Sequence, residues 1–363
     1  MHIGIDYRPV SVAPFSGIGR QVKGLEAVLQ GRDNTQLSLL AVVPEDHPLR
    51  AKVTSPEWTT PLAGLQQPHK RLRFEAGFIP RALADNKIDL YIATANMGLP
   101  IGRKNKNTRL ALLLHDLFQL TEDNHHTSKL KASVYRVLDR LSIAWSVYAA
   151  DQIWCPSKFT AEQVKNKFPA ASKKVRVLNN LVSEFTADTE PLEQLPQNYW
   201  LIVGTREPRK NIKLFIQVWM MLRSQMSVPD LVLVGSSDDC PEYRHATGIH
   251  WLSGITEGQL HTAYRNAASL WQPSYAEGFG LPVIEALSVG TPVVTALGSA
   301  LDEITPEFSP RFDPYSFADL EKCMREVGAH PLLKNQIHYT QWSAQYTYAA
   351  YQKRVNQLIL ELS

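Results

Sequence analysis

The sequence predicts an α/β protein with two doubly wound, Rossmann-like domains. Its 363 residues exceed what a single hydrophobic core usually serves, so two domains of ordinary size are expected. Short β-rich runs alternate with helical patterns along the chain, which indicates βαβ units and parallel sheets. An acidic, proline-containing stretch without periodicity separates the two halves. A ligand site is therefore expected in a central cleft that both domains face.

The first half carries short apolar runs that are predicted to be the strands of one sheet. They are His2–Ile5, Leu37–Val43, Leu90–Ala93, Leu110–Leu114, Gln152–Cys155 and Val175–Leu178. Between them, Lys131–Tyr148 places Leu138 and Leu141 at helical spacing, which suits a helix that covers a sheet. The first domain is predicted over residues 1–185, and a linker follows over residues 186–198.

The second half begins a new α/β series after this linker. Its predicted strands are Tyr199–Val203, Leu231–Val234, Ile249–Leu252, Ser269–Gln272 and Pro292–Thr295. The second domain is predicted over residues 199–341. The remaining residues, 342–363, contain one long helical pattern, Trp342–Leu362, and its periodicity does not reveal what it covers.

Composition and charge exclude several classes of protein. Apolar residues at 44% and charged residues at 20% are close to the globular average, unlike a disordered or fibrous chain. A formal net charge of +3 is too small to indicate nucleic-acid binding. The cysteines, Cys155, Cys240 and Cys323, are far apart, which is typical of reduced, buried thiols. Without a leader pattern or an apolar run long enough to span a bilayer, a cytoplasmic protein is expected.

The segment Pro273–Val294 is the most informative part of the chain. Gly278 and Gly280 remove side chains just before Pro282, a residue favoured in the first turn of a helix. Unpaired backbone N–H groups and the positive end of the helix dipole would together attract an anion there. The pattern predicts a phosphate-binding helix start.

Two carboxylates bracket this helix start. Glu277 lies on the loop before the glycines, and Glu285 lies about one turn into the predicted helix. A carboxylate accepts hydrogen bonds in pairs, so the two side chains could hold vicinal hydroxyls, one pair on a hexose and one on a ribose. The alternative is a surface acid and a helix acid that complements the dipole.

A basic loop follows the first strand of the second domain. Arg206, Arg209 and Lys210 stand at the carboxyl end of a strand, where open α/β sheets bind ligands. Their charges could offset a diphosphate, although a solvated turn would explain the same composition. Lys210 is the first candidate for this contact, and Arg206 is the second.

The first domain offers weaker candidates, and no metal site is expected. Ser16–Arg20 contains Gly17, whose missing side chain would let the backbone approach a ligand, but a full dinucleotide fingerprint is absent. His115 ends an apolar strand, a position that favours function over a purely structural role. The chain has no Asp-x-Asp triplet for a cation, and cationic side chains with helix N–H groups could neutralise a leaving diphosphate instead.

In their order along the chain, these motifs resemble retaining glycosyltransferases of the GT-B fold, glycosyltransferase family 4, and especially mannosyltransferases of bacterial polysaccharide assembly. The similarity covers nearly the whole chain. It is carried by DYRP at Asp6–Pro9, SGIGR at Ser16–Arg20, LLHDL at Leu113–Leu117, CPSKFTAE at Cys155–Glu162, VGTREPRKN at Val203–Asn211 and the stretch GITEGQLHTAYRNAASLWQPSYAEGFGLPVIEALSVGTPVV. The last stretch is the most specific.

This resemblance implies a nucleotide-diphosphate sugar held mainly by the second domain. Glu285 would bind the ribose hydroxyls, and Glu277 would hold hydroxyls of the transferred sugar. The helix start would reach the phosphates through the residues Gly278, Phe279, Gly280 and Leu281. The C-terminal helix, residues 342–363, would cross back to the N-terminal domain, which would bind the acceptor.

The resemblance also implies roles for the remaining candidates. Lys210, with Arg206 or Arg209, would stabilise the departing diphosphate, and Gly17 would close over it. His115 would contact the sugar near its reacting carbon. Thr205 stands where the family usually has an arginine, which leaves open which arginine contacts the phosphates.

The predicted function is retaining, metal-independent transfer of a hexosyl group, a mannosyl group from GDP-mannose, to a glycan or lipid-linked glycan in polysaccharide or lipopolysaccharide assembly. A UDP-hexose donor, a non-catalytic nucleotide-sugar-binding protein and a sugar-nucleotide 2-epimerase stay open as alternatives. No cofactor and no nucleic-acid partner are expected. The basic runs Lys70–Arg73 and Arg103–Arg109 could rest on an anionic membrane at its inner face, and a solvated charged surface explains them nearly as well.

Overall fold

The computed structural model describes residues 1–58, 61, 67–102, 107–121, 129–182, 189–193, 195–334 and 336–362. The chain divides into two compact units, the first comprising Met1–Leu181 with Tyr351–Ser363 and the second comprising Val182–Ala350. Part of the predicted linker, residues 186–188 and 194, lies outside the described residues. Most of the basic run at 103–109 does so as well.

The first unit is built on a six-stranded sheet whose strand pairs are all parallel. Its strands are β1 (His2–Asp6), β2 (Gln36–Leu40), β3 (Leu90–Ala93), β4 (Arg109–Leu113), β5 (Gln152–Cys155) and β6 (Val175–Val177). In the order β2-β1-β3-β4-β5-β6, the chain leaves β1 on one side for β2 and returns on the other side at β3. The topological switch point of this sheet therefore lies between β1 and β3.

Helices cover both faces of this sheet. They are α1 (Arg8–Val12), α2 (Gly17–Gln30), α3 (Pro68–Arg73), α4 (Ile79–Asp85), α5 (Phe118–Thr121), α6 (Lys129–Ala149) and α7 (Lys158–Lys167), with a π-helical turn, Phe74–Phe78, joining α3 to α4. Ser16 caps α2 because its hydroxyl accepts the Gly19 N–H at 3.0 Å.

The second unit repeats this architecture with a second all-parallel six-stranded sheet. Its strands are β7 (Tyr199–Val203), β8 (Asp230–Val234), β9 (Ile249–Leu252), β10 (Ser269–Gln272), β11 (Val293–Ala296) and β12 (Arg311–Phe312). The order β12-β11-β10-β7-β8-β9 places the switch point between β7 and β10. Two doubly wound α/β units confirm the predicted fold class, and the two-residue strand β12 was not predicted.

The helices of the second unit are α8 (Ile212–Arg223), α9 (Glu257–Asn266), α10 (Leu281–Ser288), α11 (Leu301–Ile304), α12 (Phe317–Ala329) and α13 (Gln336–Ser343). Large aromatic side chains fill its core: Trp200 and Trp271 pack with their ring centroids 4.7 Å apart, and Phe215 meets Trp271 edge-on at 5.3 Å. This packing joins β7 to β10, the two strands that are followed by the loops with the charged candidate residues.

The prediction of one continuous helix over Trp342–Leu362 is wrong. The chain forms α13, a short 3₁₀ turn at Ala344–Tyr346, and then α14 (Tyr348–Leu360). Thr347 interrupts the helix because its backbone is extended, with φ −72° and ψ 166°. The buried residues of α14, including Val355 and Leu358, belong to the apolar core of the first unit.

The three cysteines are buried free thiols. Burial raises the pKa of Cys155 and Cys323 to about 12, so both are protonated at neutral pH. Among the described residues, no helix combines the length and the apolar character needed to cross a membrane.

Candidate active site

The strand order of the second sheet directs attention to the carboxyl ends of β7 and β10. In open α/β sheets, ligands bind outside the carboxyl ends of the strands where the direction of winding reverses. The loop after β7 carries Arg206, Arg209 and Lys210, and the loop after β10 carries Glu277. Because β7 and β10 are hydrogen-bonded neighbours, the two loops start side by side.

The loop after β7 brings Arg209 and Lys210 against the loop after β10. Gly204 has a φ of +85°, a conformation that favours glycine, and Pro208–Lys210 form a 3₁₀ turn. Asn211 is left-handed with a φ of 59°, and its Nδ2 donates to the Pro314 carbonyl oxygen at 3.0 Å. The Tyr275 N–H then donates to the Arg209 carbonyl oxygen at 2.8 Å, which joins the two loops directly.

Glu277 is the centre of a buried cluster at this switch point. Its Oε1 accepts hydrogen bonds from Lys210 Nζ at 2.7 Å, Ser274 Oγ at 2.7 Å and Gln272 Nε2 at 2.8 Å. Its Oε2 accepts from Arg209 Nη1 at 2.7 Å. The residue is only 5% exposed, so both ion pairs lie in a region of low dielectric.

The charges around Glu277 decide its protonation state. Burial alone would raise the pKa of its carboxyl group, but Lys210 and Arg209 outweigh burial and lower the pKa to about 2. Glu277 is therefore a carboxylate at neutral pH and cannot serve there as a proton donor. It still has acceptor capacity at Oε2, since a carboxylate offers about four lone-pair sites. The cluster can hold a hydroxyl-rich ligand, and its two neighbouring cations, Arg209 and Lys210, can attract an adjacent anion.

The helix predicted to hold a phosphate is α10, and its start has the expected backbone. Gly280 precedes it with a φ of +105°, and no side chain caps its first turn. A Cβ at Gly280 would lie 2.7 Å from Leu301 Cδ2, so glycine is required for space as well as for backbone conformation. The Phe279 side chain is 4% exposed and belongs to the core, which leaves its backbone as the part available to a ligand.

Glu285 lies on α10 and is also buried, at 3% exposure. Its Oε2 accepts a hydrogen bond from the Tyr264 hydroxyl of α9 at 2.6 Å. The structure thus brings Glu277, Lys210 and Arg209 into one cluster, whereas Glu285 is anchored to a neighbouring helix. Tyr264, Gln272 and Ser274 were missed by the sequence analysis, although Gln272 and Ser274 belong to the same strand-end motif as Glu277.

A third loop, after β8, supports the basic one. Thr205 Oγ1 donates to Asp239 Oδ2 at 2.5 Å. A Cβ on Gly235 would lie 1.8 Å from Thr205 Oγ1, so Gly235 must lack a side chain. Thr205, which stands where the family usually has an arginine, therefore links the loops after β7 and β8.

The structure separates the two candidate arginines. Arg209 reaches Glu277 and also pairs with Glu207. Arg206 is exposed and, within the part of the chain that the structure describes, makes no hydrogen bond or ion pair. The spacing of the loop could not show this, because a 3₁₀ turn decides which side chains point toward β10.

The first unit carries the other two candidates. His115 follows β4 and is 8% exposed, and its Nε2 lies 2.9 Å from the Thr94 carbonyl oxygen. A carbonyl can only accept, so Nε2 carries a proton, and burial lowers the pKa of the ring although Thr94 and Asp116 oppose that effect. His115 is therefore neutral, with Nδ1 as an acceptor. Gly17 is exposed at the first position of α2.

Over the described ranges, no group of three or more His, Cys, Asp or Glu side chains is arranged to hold a metal ion.

Solved structures with the same fold define the class. The structure resembles sucrose-phosphate synthase from Thermosynechococcus elongatus with a TM-score of 0.71 at 16% identity, covering 99% of this chain and 98% of that one. It also resembles HepE from Anabaena, solved in complex with UDP and glucose, with a TM-score of 0.66 at 16% identity and 99% of both chains covered. The fold is that of the GT-B glycosyltransferases.

Sequence comparisons then identify the family. The sequence-family model described as Glycosyltransferase Family 4 matches residues 15–184, and the family model described as Glycosyl transferases group 1 matches residues 185–339. A curated relative, O-antigen chain mannosyltransferase B from Escherichia coli, is 29% identical over an alignment of 226 residues, and the match covers 56% of this chain and 59% of the relative. The chain belongs to the family 4 glycosyltransferases of the GT-B fold, as its motifs indicated.

Proposed function

We propose that this protein transfers a hexosyl group from a nucleotide-diphosphate sugar to a glycan or lipid-linked glycan acceptor. The observation that carries the proposal is the buried cluster of Glu277, Lys210 and Arg209 at the switch point between β7 and β10. Such a cluster offers a hydroxyl acceptor for the sugar and two cations for the diphosphate. Family membership supports the same reaction class.

GDP-mannose is the proposed donor. The support is the name of the curated relative, a mannosyltransferase of O-antigen chains, of which this chain spans 59%. The same relative supports a role in polysaccharide or lipopolysaccharide assembly. A UDP-hexose is the second candidate, because HepE shares the fold and was solved with UDP and glucose.

The proposed mechanism retains the configuration at the anomeric carbon and uses no metal. The bond from the anomeric carbon to the diphosphate oxygen breaks as the bond to the acceptor oxygen forms on the same face, and the acceptor proton passes to a diphosphate oxygen. Lys210 and Arg209 stabilise the negative charge that accumulates on the leaving group. Glu277, a carboxylate throughout, holds hydroxyls of the transferred sugar.

Other residues are assigned supporting roles in this proposal. Glu285 binds the ribose hydroxyls, and the backbone at Gly278, Gly280 and Leu281 meets the phosphates at the start of α10. The neutral His115 ring accepts a sugar hydroxyl at Nδ1 while Nε2 stays bound to Thr94. Gly17, exposed at the start of α2, approaches the diphosphate through its backbone.

The test is turnover of defined donors by the purified protein. GDP-mannose, UDP-glucose, UDP-galactose and a buffer blank are incubated with and without a bacterial lipid extract, and the released nucleoside diphosphate is measured. We expect acceptor-dependent release of GDP that persists in EDTA, and an α-linked product by NMR. Release of UDP alone would select the second candidate, and a β-linked product would reject retention.

A binding protein without catalysis is the outcome that would reject the proposal as a whole. It would bind GDP or UDP by calorimetry without turning over any donor. A 2-epimerase would release nucleoside diphosphate or form a new sugar nucleotide without any acceptor. Both results differ from the acceptor-dependent release that we expect.

Membrane contact is tested separately. Within the basic run of α3, Arg71 pairs with Asp139 at 2.7 Å and Arg73 stacks over Trp58 at 4.5 Å, so both side chains have partners inside the protein. Sedimentation with anionic vesicles at low and high salt measures whether the surface binds membrane. Salt-sensitive binding is expected if the run contacts anionic lipid.

A further inference from the structure

A cavity of about 400 Å³ opens in the first unit, between α6 and the segment formed by α3 and the π-helical turn. Its volume lies in the range of small-molecule sites. Two kinds of side chain line it. The polar ones include His69, Arg71 and Glu75, and the apolar ones include Leu72, Ile101 and Leu138.

Glu75 is the unusual member of this lining. It is 2% exposed, yet the hydrogen bond that the structure describes for its carboxylate is a long one, 3.4 Å from Arg8 Nη2. The same guanidinium nitrogen lies 2.7 Å from Asp6 Oδ2, so Arg8 is committed mainly to Asp6. A buried carboxylate normally accepts several hydrogen bonds. Glu75 therefore faces the cavity with most of its acceptor capacity unused.

The position of Glu75 in the fold is also unusual. It lies on the π-helical turn Phe74–Phe78, a rare conformation that is frequent at functional sites. Through Arg8 it reaches Asp6, the last residue of β1, so the cavity adjoins the switch point of the first sheet. Burial also raises the pKa of Glu75, although Arg8 and Arg71 oppose this effect, so the protein tolerates an unfavourable group here.

A short chain of hydrogen bonds connects this switch point to His115. Thr94 Oγ1 donates to the Asp6 carbonyl oxygen at 2.6 Å, and His115 Nε2 donates to the Thr94 carbonyl oxygen at 2.9 Å. The cavity and the histidine thus stand at the same edge of the first sheet. A ligand in the cavity would occupy the side of the sheet on which the proposed sugar contact lies.

The cavity lining offers both kinds of surface that a pyranose ring requires. Leu72, Ile101 and Leu138 offer aliphatic surface to the C–H face of a sugar. Glu75 accepts hydrogen bonds from its hydroxyls, and a carboxylate can accept two at once. Arg71 links α3 to α6, since its guanidinium donates hydrogen bonds to Asp139 Oδ1 at 2.7 Å and to Ser142 Oγ at 3.1 Å.

We propose that this cavity is an acceptor subsite that binds a terminal hexose, with Glu75 as the residue that recognises its hydroxyls. The assignment as an acceptor subsite rests on the proposed function, but the binding of a hexoside does not depend on transfer of a sugar.

The experiment measures sugar binding in the absence of donor. Octyl glycosides of mannose, glucose, galactose and N-acetylglucosamine are titrated into the full chain, and the dissociation constant is obtained by ligand-observed NMR. The variants are Glu75→Gln, which removes the charge, and Leu138→Trp, which fills the cavity from α6. Leu141→Trp is the matched control, because Leu141 is 62% exposed on the same helix and does not line the cavity.

We expect at least one octyl glycoside to bind the wild type. Its dissociation constant should rise at least tenfold in Glu75→Gln and in Leu138→Trp, and should stay within twofold in Leu141→Trp. If Glu75→Gln does not fold, Leu138→Trp decides, because its side chain is at the surface. The proposal is overturned if no glycoside binds, if neither variant weakens binding, or if the control weakens it equally.

Donor turnover distinguishes this inference from the proposed function. Donor turnover without any glycoside bound would reject the subsite and leave the transferase proposal standing. A glycoside bound as expected, with no donor turned over, would reject the transferase proposal and leave a sugar site.

Discussion

The two sheets each place a buried glutamate at the switch point, and the two glutamates differ in how many partners they have. Glu277 accepts four hydrogen bonds, two of them from cations, and its pKa falls to about 2. Glu75 has one long contact with a cation already bound to Asp6, and its pKa is raised by burial. The same topology therefore carries an acid with four hydrogen-bond donors in one unit and an acid with one distant donor in the other.

This difference shows that strand order determines where each site lies and that the loops determine which charged groups it contains. The loop after β7 supplies Arg209 and Lys210 on one turn, enough to hold Glu277 ionised. In the first unit, Arg8 is the cation shared by two acids, Asp6 and Glu75. A site with two neighbouring cations suits a diphosphate, and a site with unused acceptors suits hydroxyl groups.

The largest effect is expected from Lys210→Ala. The variant removes a charge-assisted donor from the proposed leaving group, so kcat/KM should fall about 10²–10³-fold. The measurement is release of nucleoside diphosphate under subsaturating donor. Arg206→Ala, on the same loop but without a described contact, is the control and should change the rate only a few-fold. Equal losses in both variants would contradict the cluster as the charged part of the site.

Glu277→Gln tests the ion pairs of Glu277 through stability. Because its folded pKa is about 2 against an ordinary value of 4.5, Glu277 stabilises the fold above pH 4.5, by about 3 kcal/mol, and this contribution disappears as pH falls toward 2. Urea unfolding should show a stability gap between wild type and variant at pH 6 that narrows from pH 5 to pH 3. A gap independent of pH would show that the ion pairs do not set the pKa.

Gly280→Ala tests whether the start of α10 needs its close packing. The new Cβ would meet Leu301 and Ile304 at 2.7 and 2.9 Å, which should cost about 1–3 kcal/mol by overpacking on top of the backbone strain. Gly298→Ala is the control, since its φ is +90° with nothing within 4 Å. Thermal unfolding and GDP affinity should both suffer more in Gly280→Ala, and equal effects would leave only backbone strain as the cause.

Gly98→Ala makes the corresponding change at the first switch point. Its Cβ would lie 2.6 Å from Arg8 Nη2 and 2.8 Å from Asp6 Oδ2, whereas a Cβ at Gly102, also at positive φ, meets no atom of the described residues within 4 Å. We expect Gly98→Ala to destabilise the protein by about 1–3 kcal/mol more than Gly102→Ala, as overpacking does. Chemical unfolding of the two variants measures the difference, and no difference would mean that the Arg8 side chain moves aside freely.

Glu75→Gln should give the smallest effect on stability, with a sign opposite to that of Glu277→Gln. A carboxyl group whose pKa is raised in the folded state costs stability as pH rises from its ordinary pKa through the raised one, and the cost is absent at lower pH. The stability of the variant relative to wild type should therefore improve as pH rises from 4 to 8. A relative loss over that range would show that the contact with Arg8 outweighs burial.

Much of the fold could be predicted from local pattern. Strands such as Leu90–Ala93, Gln152–Cys155, Tyr199–Val203 and Ser269–Gln272 begin and end where the sequence predicted. Buried parallel strands are short runs of apolar residues bounded by polar ones, so their limits are written locally. The break at Thr347 was missed because helical periodicity continues across it and one extended residue leaves no pattern.

The arrangement of the candidate site could be predicted only in part, because contacts between distant parts of the chain leave no local pattern. Glu277 and Lys210 stand in motifs at strand ends, so their place could be inferred before their contacts were known. The choice of Arg209 over Arg206 depends on a 3₁₀ turn, and the supporting Tyr264 comes from a different helix. Glu75 carries no motif at all, because its environment is assembled from β1, the π-helical turn and α6.

The sequence by itself determined the two α/β units, the order of their strands along the chain, the family and the loops that carry the charged residues. Only the tertiary structure decided which of those residues meet, how many partners each buried acid has and in which direction its pKa moves. The physical reason is that periodicity and turn chemistry act between near neighbours in the chain. Burial and Coulomb interaction depend on distance in space, which the winding of each sheet sets.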